Sequence, residues 1–270
     1  MAPSIIIFTD LDGTLIGFDD FSPGPAGDAV EKLVAAGVDV IPVSSKTAPE
    51  IRKLLDGLGL ALSFVVENGA AVHLSRPGGY DVHPLVSLSS DDIMAGVERL
   101  PKNLAEGFVP LLGMSTRDQE EVLGLSGAAL KDALRREYSQ PFVWQGAEEA
   151  LQHFTSALAE QGIETTKGGR LFHLGGGASK VKAMDWVVAE RERQSGSKPI
   201  TIALGDSPND RSMLEHADLA GVVRLPGREP MVLSRDDCLT SRRPAPEGWV
   251  ELVSDLLPKA GMNLEMEIER

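Results

Sequence analysis

Apolar and polar positions along the chain follow two different rhythms. Ile5-Ile6-Ile7-Phe8 is a short unbroken apolar run, and Ser4 to Phe8 has the length and β-branched content of a buried strand. Ala26 to Ala36 repeats apolar residues at helical spacing and stops at Gly37, after which Val38 to Val43 reads as a second strand. Beyond a loop at Ser44 to Thr47, the pattern predicts a helix over Pro49 to Leu58, closed by Gly59, and a third strand over Ser63 to Val66. The alternation returns late in the chain, with a helix over Lys180 to Arg193, a strand over Ile200 to Leu204, a short helix over Asp210 to His216 and a strand over Leu219 to Val223. Strands and helices in alternation imply a parallel sheet with right-handed crossovers.

The stretch from Leu85 to Leu174 has another grammar. It predicts a helix (Asp91 to Leu100), a strand (Phe108 to Met114), a helix (Gly127 to Glu137), a strand (Phe142 to Gln145), a helix (Glu148 to Gln161) and two strands joined across Lys167-Gly168-Gly169. Paired glycines supply the positive φ of a tight hairpin turn. Turn-rich segments bracket this stretch: Arg76-Pro77-Gly78-Gly79, before a last core hairpin strand, and Gly175-Gly176-Gly177. The expected fold is therefore α/β, a doubly wound parallel-sheet core built from residues 1–84 and 175–270, with an α+β domain inserted at 85–174. No internal repeat or low-complexity tract interrupts it.

Composition narrows the function. The chain has 270 residues, 42% of them hydrophobic and 24% charged, which is the balance of an ordinary globular protein. Its 40 acidic and 26 basic side chains leave a formal charge of −14, which repels a phosphate backbone and excludes nucleic acid as a partner. No apolar run approaches the roughly 18 residues of a membrane-spanning helix. Cys238 is the one cysteine, so neither an internal disulfide nor a cysteine metal site can form. With no basic segment followed by an apolar core at the N-terminus, a cytoplasmic location is expected.

Chemistry concentrates where the predicted strands end. Phe8-Thr9-Asp10-Leu11-Asp12-Gly13-Thr14 places two carboxylates two residues apart after the first strand, followed by a glycine that lets backbone N–H groups approach an anion. Gly205-Asp206-Ser207-Pro208-Asn209-Asp210 follows a later strand in the same way. Four acids gathered at strand carboxyl ends would repel one another unless a hard cation joined them, and carboxylate oxygens suit Mg²⁺. Asp210 also suits the first turn of a helix, where negative charge is favoured. Ser44-Ser45-Lys46-Thr47 offers hydroxyl and backbone donors after the second strand. Lys180 opens a predicted helix, where a cation opposes the helix dipole and so has no simple stabilising role.

In this order, Asp10-x-Asp12-Gly13-Thr14, Ser44, Lys180 and Gly205-Asp-Ser-x-Asn209-Asp210 resemble the four motifs of the haloacid dehalogenase-like phosphohydrolases, although that family usually has Thr where Ser44 stands. Glu67-Asn68-Gly69 and the position of the insert, between Ser44 and Lys180, resemble the Cof-type branch with its larger, second-position (C2-type) cap. Val43-Ser-Ser-Lys-Thr47, Arg136-Glu-Tyr-Ser-Gln-Pro-Phe142, Gly168-Gly-Arg170 with Phe172-His173, and Pro246-Glu-Gly-Trp249 are most similar to the mannosyl-3-phosphoglycerate phosphatases. That likeness is weakest over Leu85 to Lys131 and after Val223.

The resemblance implies a mechanism. Asp10 would attack phosphorus to give an aspartyl-phosphate, and Asp12 would serve as acid and then base. Mg²⁺ would be bound by Asp10, the Asp12 carbonyl and Asp206, with Asp210 ligating it or holding its water. Gly13, Ser44, Ser45, Lys46 and Lys180 would hold the phosphoryl oxygens, with Asn209 orienting them. Arg136 and Arg170, helped by Gly169, would read a glycerate carboxylate, since a guanidinium binds carboxylate in a bidentate way. Glu67 and Asn68 would take sugar or glycerate hydroxyls, or simply form a turn. The five histidines show no metal spacing, His173 standing nearest the expected cap hairpin, and Phe142 and Trp144 read as core. The expected partner is a small phosphorylated glycoside, bound by a monomer or homodimer, and the product would be mannosylglycerate.

Other phosphate-handling classes fit less well. Neither GxxxxGK[ST] nor GxGxxG occurs after the first strand, which excludes P-loop and dinucleotide-binding sites. A non-catalytic phospho-acceptor module, phosphorylated at Asp10, is disfavoured by Asp12, since a general base two residues along would speed loss of the phosphoryl group. A phosphomutase, or a sucrose, trehalose or mannose phosphate phosphatase, would share all four motifs and remains the main rival.

Overall fold

Ile5–Thr9 forms β1, and all five of its side chains are buried, as in a strand covered on both faces. Ile5 and Ile7 join one hydrophobic cluster and Ile6 and Phe8 the other, following the two-residue alternation of a strand. The computed structural model describes residues 4–18, 21–167 and 171–266. After β1 come α1 (Gly24–Ala35), β2 (Asp39–Pro42), α2 (Ala48–Gly57) and β3 (Phe64–Val66), then the hairpin of β4 (Ala71–Arg76) and β5 (Gly79–Pro84). The insert holds α3 (Ser90–Glu98), α4 (Lys102–Ala105), β6 (Phe108–Pro110), α5 (Thr116–Leu123), α6 (Gly127–Ala133), β7 (Ser139–Trp144), α7 (Glu148–Ala159), β8 (Glu164–Lys167) and β9 (Phe172–Gly175). The chain then returns through α8 (Lys180–Ser195), β10 (Ile200–Gly205), α9 (Arg211–His216), β11 (Leu219–Val222), β12 (Leu239–Thr240) and α10 (Glu247–Leu256).

Five parallel strands make the central sheet in the order β12-β11-β10-β1-β2. A single parallel bridge, Val43 to Val65, continues it towards the antiparallel sheet β3-β4-β5. Helices cover both faces. Buried residues of α1, α2 and α10 fill one cluster and those of α8 and α9 the other. This is the doubly wound α/β architecture expected from the sequence. The insert carries its own antiparallel sheet, β6-β7-β9-β8, packed on a small core of Ile93, Phe142, Phe154, Leu158 and Leu174. No helix among the described residues is long and apolar enough to cross a membrane.

Within the insert several boundaries move. The strand expected over Phe108 to Met114 stops at Pro110 and gives way to a 3₁₀ turn at Leu111–Gly113, because proline has no N–H for a ladder. The helix expected to reach Glu137 ends at Ala133, and β7 starts at Ser139 instead of Phe142, where Ser139 pairs with Gly175. The β8–β9 hairpin forms in register from Glu164–Gly175 to Lys167–Phe172, while its Gly168-Gly169 turn lies outside the described residues. Phe142 is fully buried and Trp144 packs beside it, so both belong to the core of the insert.

One core histidine makes a testable contribution to stability. His73 is 2% exposed, stacks on Phe64 at 4.7 Å and lies 3.3 Å from Arg52 Nη2. Burial, and then the Arg52 charge, push its pKa down to about 4 from 6.5. The unfolded chain therefore takes up a proton that the folded chain refuses, so this group's stability is complete above 6.5 and is lost as pH falls towards 4. Between these pH values the protein should lose more stability than a His73→Gln variant in urea titrations. Parallel curves for the two proteins would contradict this.

Candidate active site

The hydrogen-bond ladder between β1 and β10 runs one step beyond β1, with Asp10 N–H donating to the Leu204 carbonyl at 2.9 Å. Asp10 and Asp206 thus leave neighbouring strands at the same carboxyl edge of the sheet. Gly205 is required there, because a Cβ would lie 2.5 Å from Asp210 Cβ. Asp210 folds back over its own turn, its Oδ2 accepting the N–H groups of Asp206 and Ser207 at 3.1 Å each. Asp10, Asp206 and Asp210 are all buried, and each offers a carboxylate oxygen within 4.8 Å of the others.

Lys180 neutralises part of this cluster. Its Nζ lies 2.6 Å from Asp10 Oδ1 and 2.6 Å from Asp210 Oδ1, with a side chain only 2% exposed. Burial works against its charge, yet the attraction of Asp10 and Asp210 raises its pKa above the usual lysine range. Burial also drives Asp10 well above the ordinary carboxylate value, with Lys180 opposing and Asp210 and Asp206 adding to the rise. Asp206 is pushed up to about 7 by burial and by Asp210, against a 2.7 Å hydrogen bond from Thr14 Oγ1. Three buried carboxylates share one ammonium, so the cluster is short of positive charge. Hard oxygen donors, close spacing and unbalanced negative charge fit a divalent cation such as Mg²⁺.

Beside the cluster, Asp12 forms an ion pair with Lys46 at 2.9 Å through Oδ2, while its Oδ1 has no hydrogen-bond partner. Its carboxylate is not part of the three-acid group. Lys46 is thereby held at Asp12, with its ammonium 5.1 Å from the centroid of the Phe21 ring. Ser44 is buried; its Oγ accepts the Lys46 N–H at 3.2 Å, and its carbonyl accepts the Asn68 N–H at 2.8 Å. Ser45 presents its carbonyl to Arg136. Thr47, with Glu50, forms a capping box that starts α2 and fixes the end of this loop.

Gly13 does not present a free donor. At φ +80° its N–H donates to the Ile16 carbonyl at 2.9 Å, closing the turn after β1. The N–H groups of Leu11 and Asp12, by contrast, have no acceptor among the described residues. Asn209 is exposed and its Nδ2 donates to Asn68 Oδ1 at 3.4 Å.

Glu67 is also placed differently from the sequence expectation. Its side chain is 2% exposed and accepts hydrogen bonds from Glu137 N–H, Tyr138 N–H and Ser139 Oγ, so it faces the insert and not an open cleft. Arg136 Nη1 donates to the Ser45 carbonyl and to Ser139 Oγ, leaving a buried Nε without a partner. His173 Nδ1 is likewise buried and unpartnered, and burial followed by Arg136 holds that imidazole neutral with a pKa of about 3. Gly169 and Arg170 lie outside the described residues. Residues that sequence reasoning did not assign include Thr14, which steadies Asp206, and Ser139. Thr14 belongs to the acidic motif itself, whereas nothing local marks Ser139.

Comparison with known proteins agrees with this architecture. Residues 7–101 match the model of the haloacid dehalogenase-like hydrolase family. BT1666 from Bacteroides thetaiotaomicron, a phosphatase of the haloalkanoate enzyme superfamily, superimposes with a TM-score of 0.68 over 96% of each chain at 18% identity. TM0651 from Thermotoga maritima gives 0.66 over 98% of this chain and 99% of that one at 14% identity. The subclass IIB sugar phosphatase BT4131 gives 0.55 over 82% and 87% at 18% identity. The chain thus has the fold of the haloacid dehalogenase-like hydrolases, with their family model matched over residues 7–101.

Proposed function

We propose that the protein is a Mg²⁺-dependent phosphomonoester hydrolase that removes phosphate from a glycosyl-3-phosphoglycerate, mannosyl-3-phosphoglycerate above all, through an aspartyl-phosphate on Asp10. The observation that carries the hydrolase reading is the buried group of Asp10, Asp206, Asp210 and Lys180 at the carboxyl ends of β1 and β10. In this reading residues 1–84 and 175–270 are the catalytic core and 85–174 the cap, and the enzyme works in the cytoplasm.

Asp10, Asp206 and Asp210, with the Asp12 carbonyl, would hold Mg²⁺, which when bound offsets the repulsion between a carboxylate nucleophile and a phosphate dianion. The Asp10 carboxylate attacks phosphorus and displaces the sugar-acid alkoxide, which takes its proton from Asp12. Asp12 then accepts a proton from the water that attacks the phosphoryl group, and phosphate leaves with Asp10 restored. Lys46 tethers one Asp12 oxygen and leaves Oδ1 free to exchange that proton. Lys180, the Ser44 hydroxyl and the Leu11 and Asp12 N–H groups would supply donors for phosphoryl oxygens, with Ser45 and Asn209 assigned to the same role on sequence grounds.

Substrate choice rests on the cap. The buried, unpartnered Arg136 Nε supports recognition of a glycerate carboxylate, since an orphaned buried donor is costly until a ligand fills it. Neutral His173, also unpartnered, suits a sugar or glycerate hydroxyl. On sequence grounds Arg170, with Gly169, completes this set. The test is a panel with Mg²⁺ present: mannosyl- or glucosyl-3-phosphoglycerate should release phosphate far faster than mannose 6-phosphate, trehalose 6-phosphate or sucrose 6-phosphate. Equal turnover across the panel would sink the substrate assignment and leave the phosphatase.

A further inference from the structure

Glu67 is a buried core carboxylate whose partners all come from one short stretch of the insert. Its Oε1 accepts the Glu137 N–H at 2.9 Å, and its Oε2 accepts the Tyr138 N–H at 3.2 Å and the Ser139 hydroxyl, with Arg136 Nη1 at 4.0 Å. These residues lie 69 to 72 positions away in sequence and outside both crossings between core and insert, which follow β5 and precede α8. If the insert swings about its crossings, this contact opens. Nearby, Thr47 Oγ1 donates to the Asp132 carbonyl at 2.8 Å and Arg136 Nη1 to the Ser45 carbonyl at 3.2 Å, so the same face of the insert rests on the loop after β2.

The backbone that carries Glu67 reaches the reaction site. Glu67 and Asn68 both adopt left-handed φ, +48° and +62°, a conformation that is costly for a residue such as Glu and persists only where surrounding contacts enforce it. The Glu67 N–H donates to the Lys46 carbonyl at 3.0 Å and the Asn68 N–H to the Ser44 carbonyl at 2.8 Å. Asn68 Oδ1 accepts from Asn209. Gly69 sits so close to the Ser179 carbonyl, directly before Lys180, that no Cβ would fit. One strained turn therefore touches the Ser44–Lys46 loop, Asn209 beside Asp210, and Ser179 beside Lys180.

Building on the phosphatase reading, we infer that Glu67 is a positioning residue: a latch that couples docking of residues 136–139 to the arrangement of the Ser44–Lys46 loop that receives the phosphoryl group. A carboxylate with three donors in a dry contact is either fully satisfied or must be rehydrated, so docking is closer to two-state than graded. Coupling of this kind is reciprocal: an anion that settles the loop must also tighten the docked cap.

Orthophosphate with Mg²⁺ is the probe, read by hydrogen–deuterium exchange over residues 136–139 and by its dissociation constant. In the wild-type protein, bound orthophosphate should slow exchange in this segment. In Glu67→Gln, exchange there should quicken and the dissociation constant rise about tenfold, within the usual range of coupling between sites, while β1 and β10 keep wild-type protection. Ser139→Ala removes one donor without touching the core and should shift both readouts in the same direction by less. If Glu67→Gln does not fold, Ser139→Ala carries the test alone. Faster exchange with unchanged phosphate affinity would reduce Glu67 to a structural clamp and overturn the inference, as would unchanged exchange in both variants. A wild-type protein that binds no orthophosphate would instead remove the phosphatase reading, and the inference with it.

Discussion

Asp10→Asn is expected to lower kcat by about ten-thousand-fold or more, the scale seen when a member of a covalent catalytic group is removed, with the fold intact. The Asp10 carboxylate is the nucleophile in this account, and an amide of the same shape cannot replace it. Loss of folding is not the expected cause. Burial, Asp210 and Asp206 hold the Asp10 pKa well above the ordinary range despite the opposing pull of Lys180, so its charged form is disfavoured in the folded protein. A neutral isostere should therefore leave the cation-free protein at least as resistant to heat. Phosphate release at wild-type rates from Asp10→Asn would refute covalent catalysis through this residue.

Lys180→Met is expected to have the largest effect on stability. The substitution keeps much of the side-chain volume but removes the ammonium bonded to Asp10 and Asp210, leaving three buried carboxylates within 4.8 Å of one another. Breaking a buried ion pair on one side costs about 3–5 kcal/mol, because the remaining charge is uncompensated. Two features separate this from ordinary core damage. Added Mg²⁺ should raise the melting temperature of the variant more than that of the wild type, since a cation at the carboxylates supplies the missing charge. The deficit should also shrink as pH falls: Lys180 holds the Asp206 pKa down, so without it Asp206 takes up its proton in the folded state more readily than in the wild type, and acid favours the folded variant more than the folded wild type. Equal Mg²⁺ responses in the two proteins would argue against a cation site at these acids.

Most of the core was legible because local pattern and tertiary environment agree there. β1, β2, α2, α8 and β10 bury the residues whose spacing announced them, and the acidic motifs fall at strand ends, as the strand-to-loop pattern required. α10 was legible too, had its apolar residues at 249, 250, 252, 253, 256 and 257 been read as a helical face across the flanking Pro244 and Pro246. α5 was harder, since it is almost wholly polar; only Ser115 and Asp118, which cap its first turn, marked it.

At the site, residue type located the acids but not their partners. Asp10, Asp206, Asp210 and Lys180 converge from β1, β10 and α8; the acids were legible as residues that follow predicted strands, and Lys180 through the resemblance of its motif to the family's. That Lys46 would bind Asp12, that Gly13 would spend its N–H on Ile16 and that Glu67 would turn towards the insert depend on contacts between segments distant in sequence or on turn closure, for which residue spacing carries no signal. The net charge of −14 takes on a more specific meaning in this setting. In the proposed reading, Lys180, backbone donors and a divalent cation would reverse the potential over a few ångströms, well within a Debye length of about 8 Å, and so let an acidic protein hold a phosphate ester.

The central claim is that phosphate passes through Asp10, and the most direct test is to trap it there. In Asp12→Asn the residue that activates water is lost while the nucleophile stays, so rapid quenching after addition of a phosphate ester and Mg²⁺ should leave one phosphoryl group on the peptide that contains Asp10. Mass spectrometry of that peptide should show it accumulating in the variant and appearing transiently in the wild type, and hydroxylamine, which cleaves acyl phosphates, should remove it. Phosphate release with no phosphorylated Asp10 at any time in either protein would contradict the account.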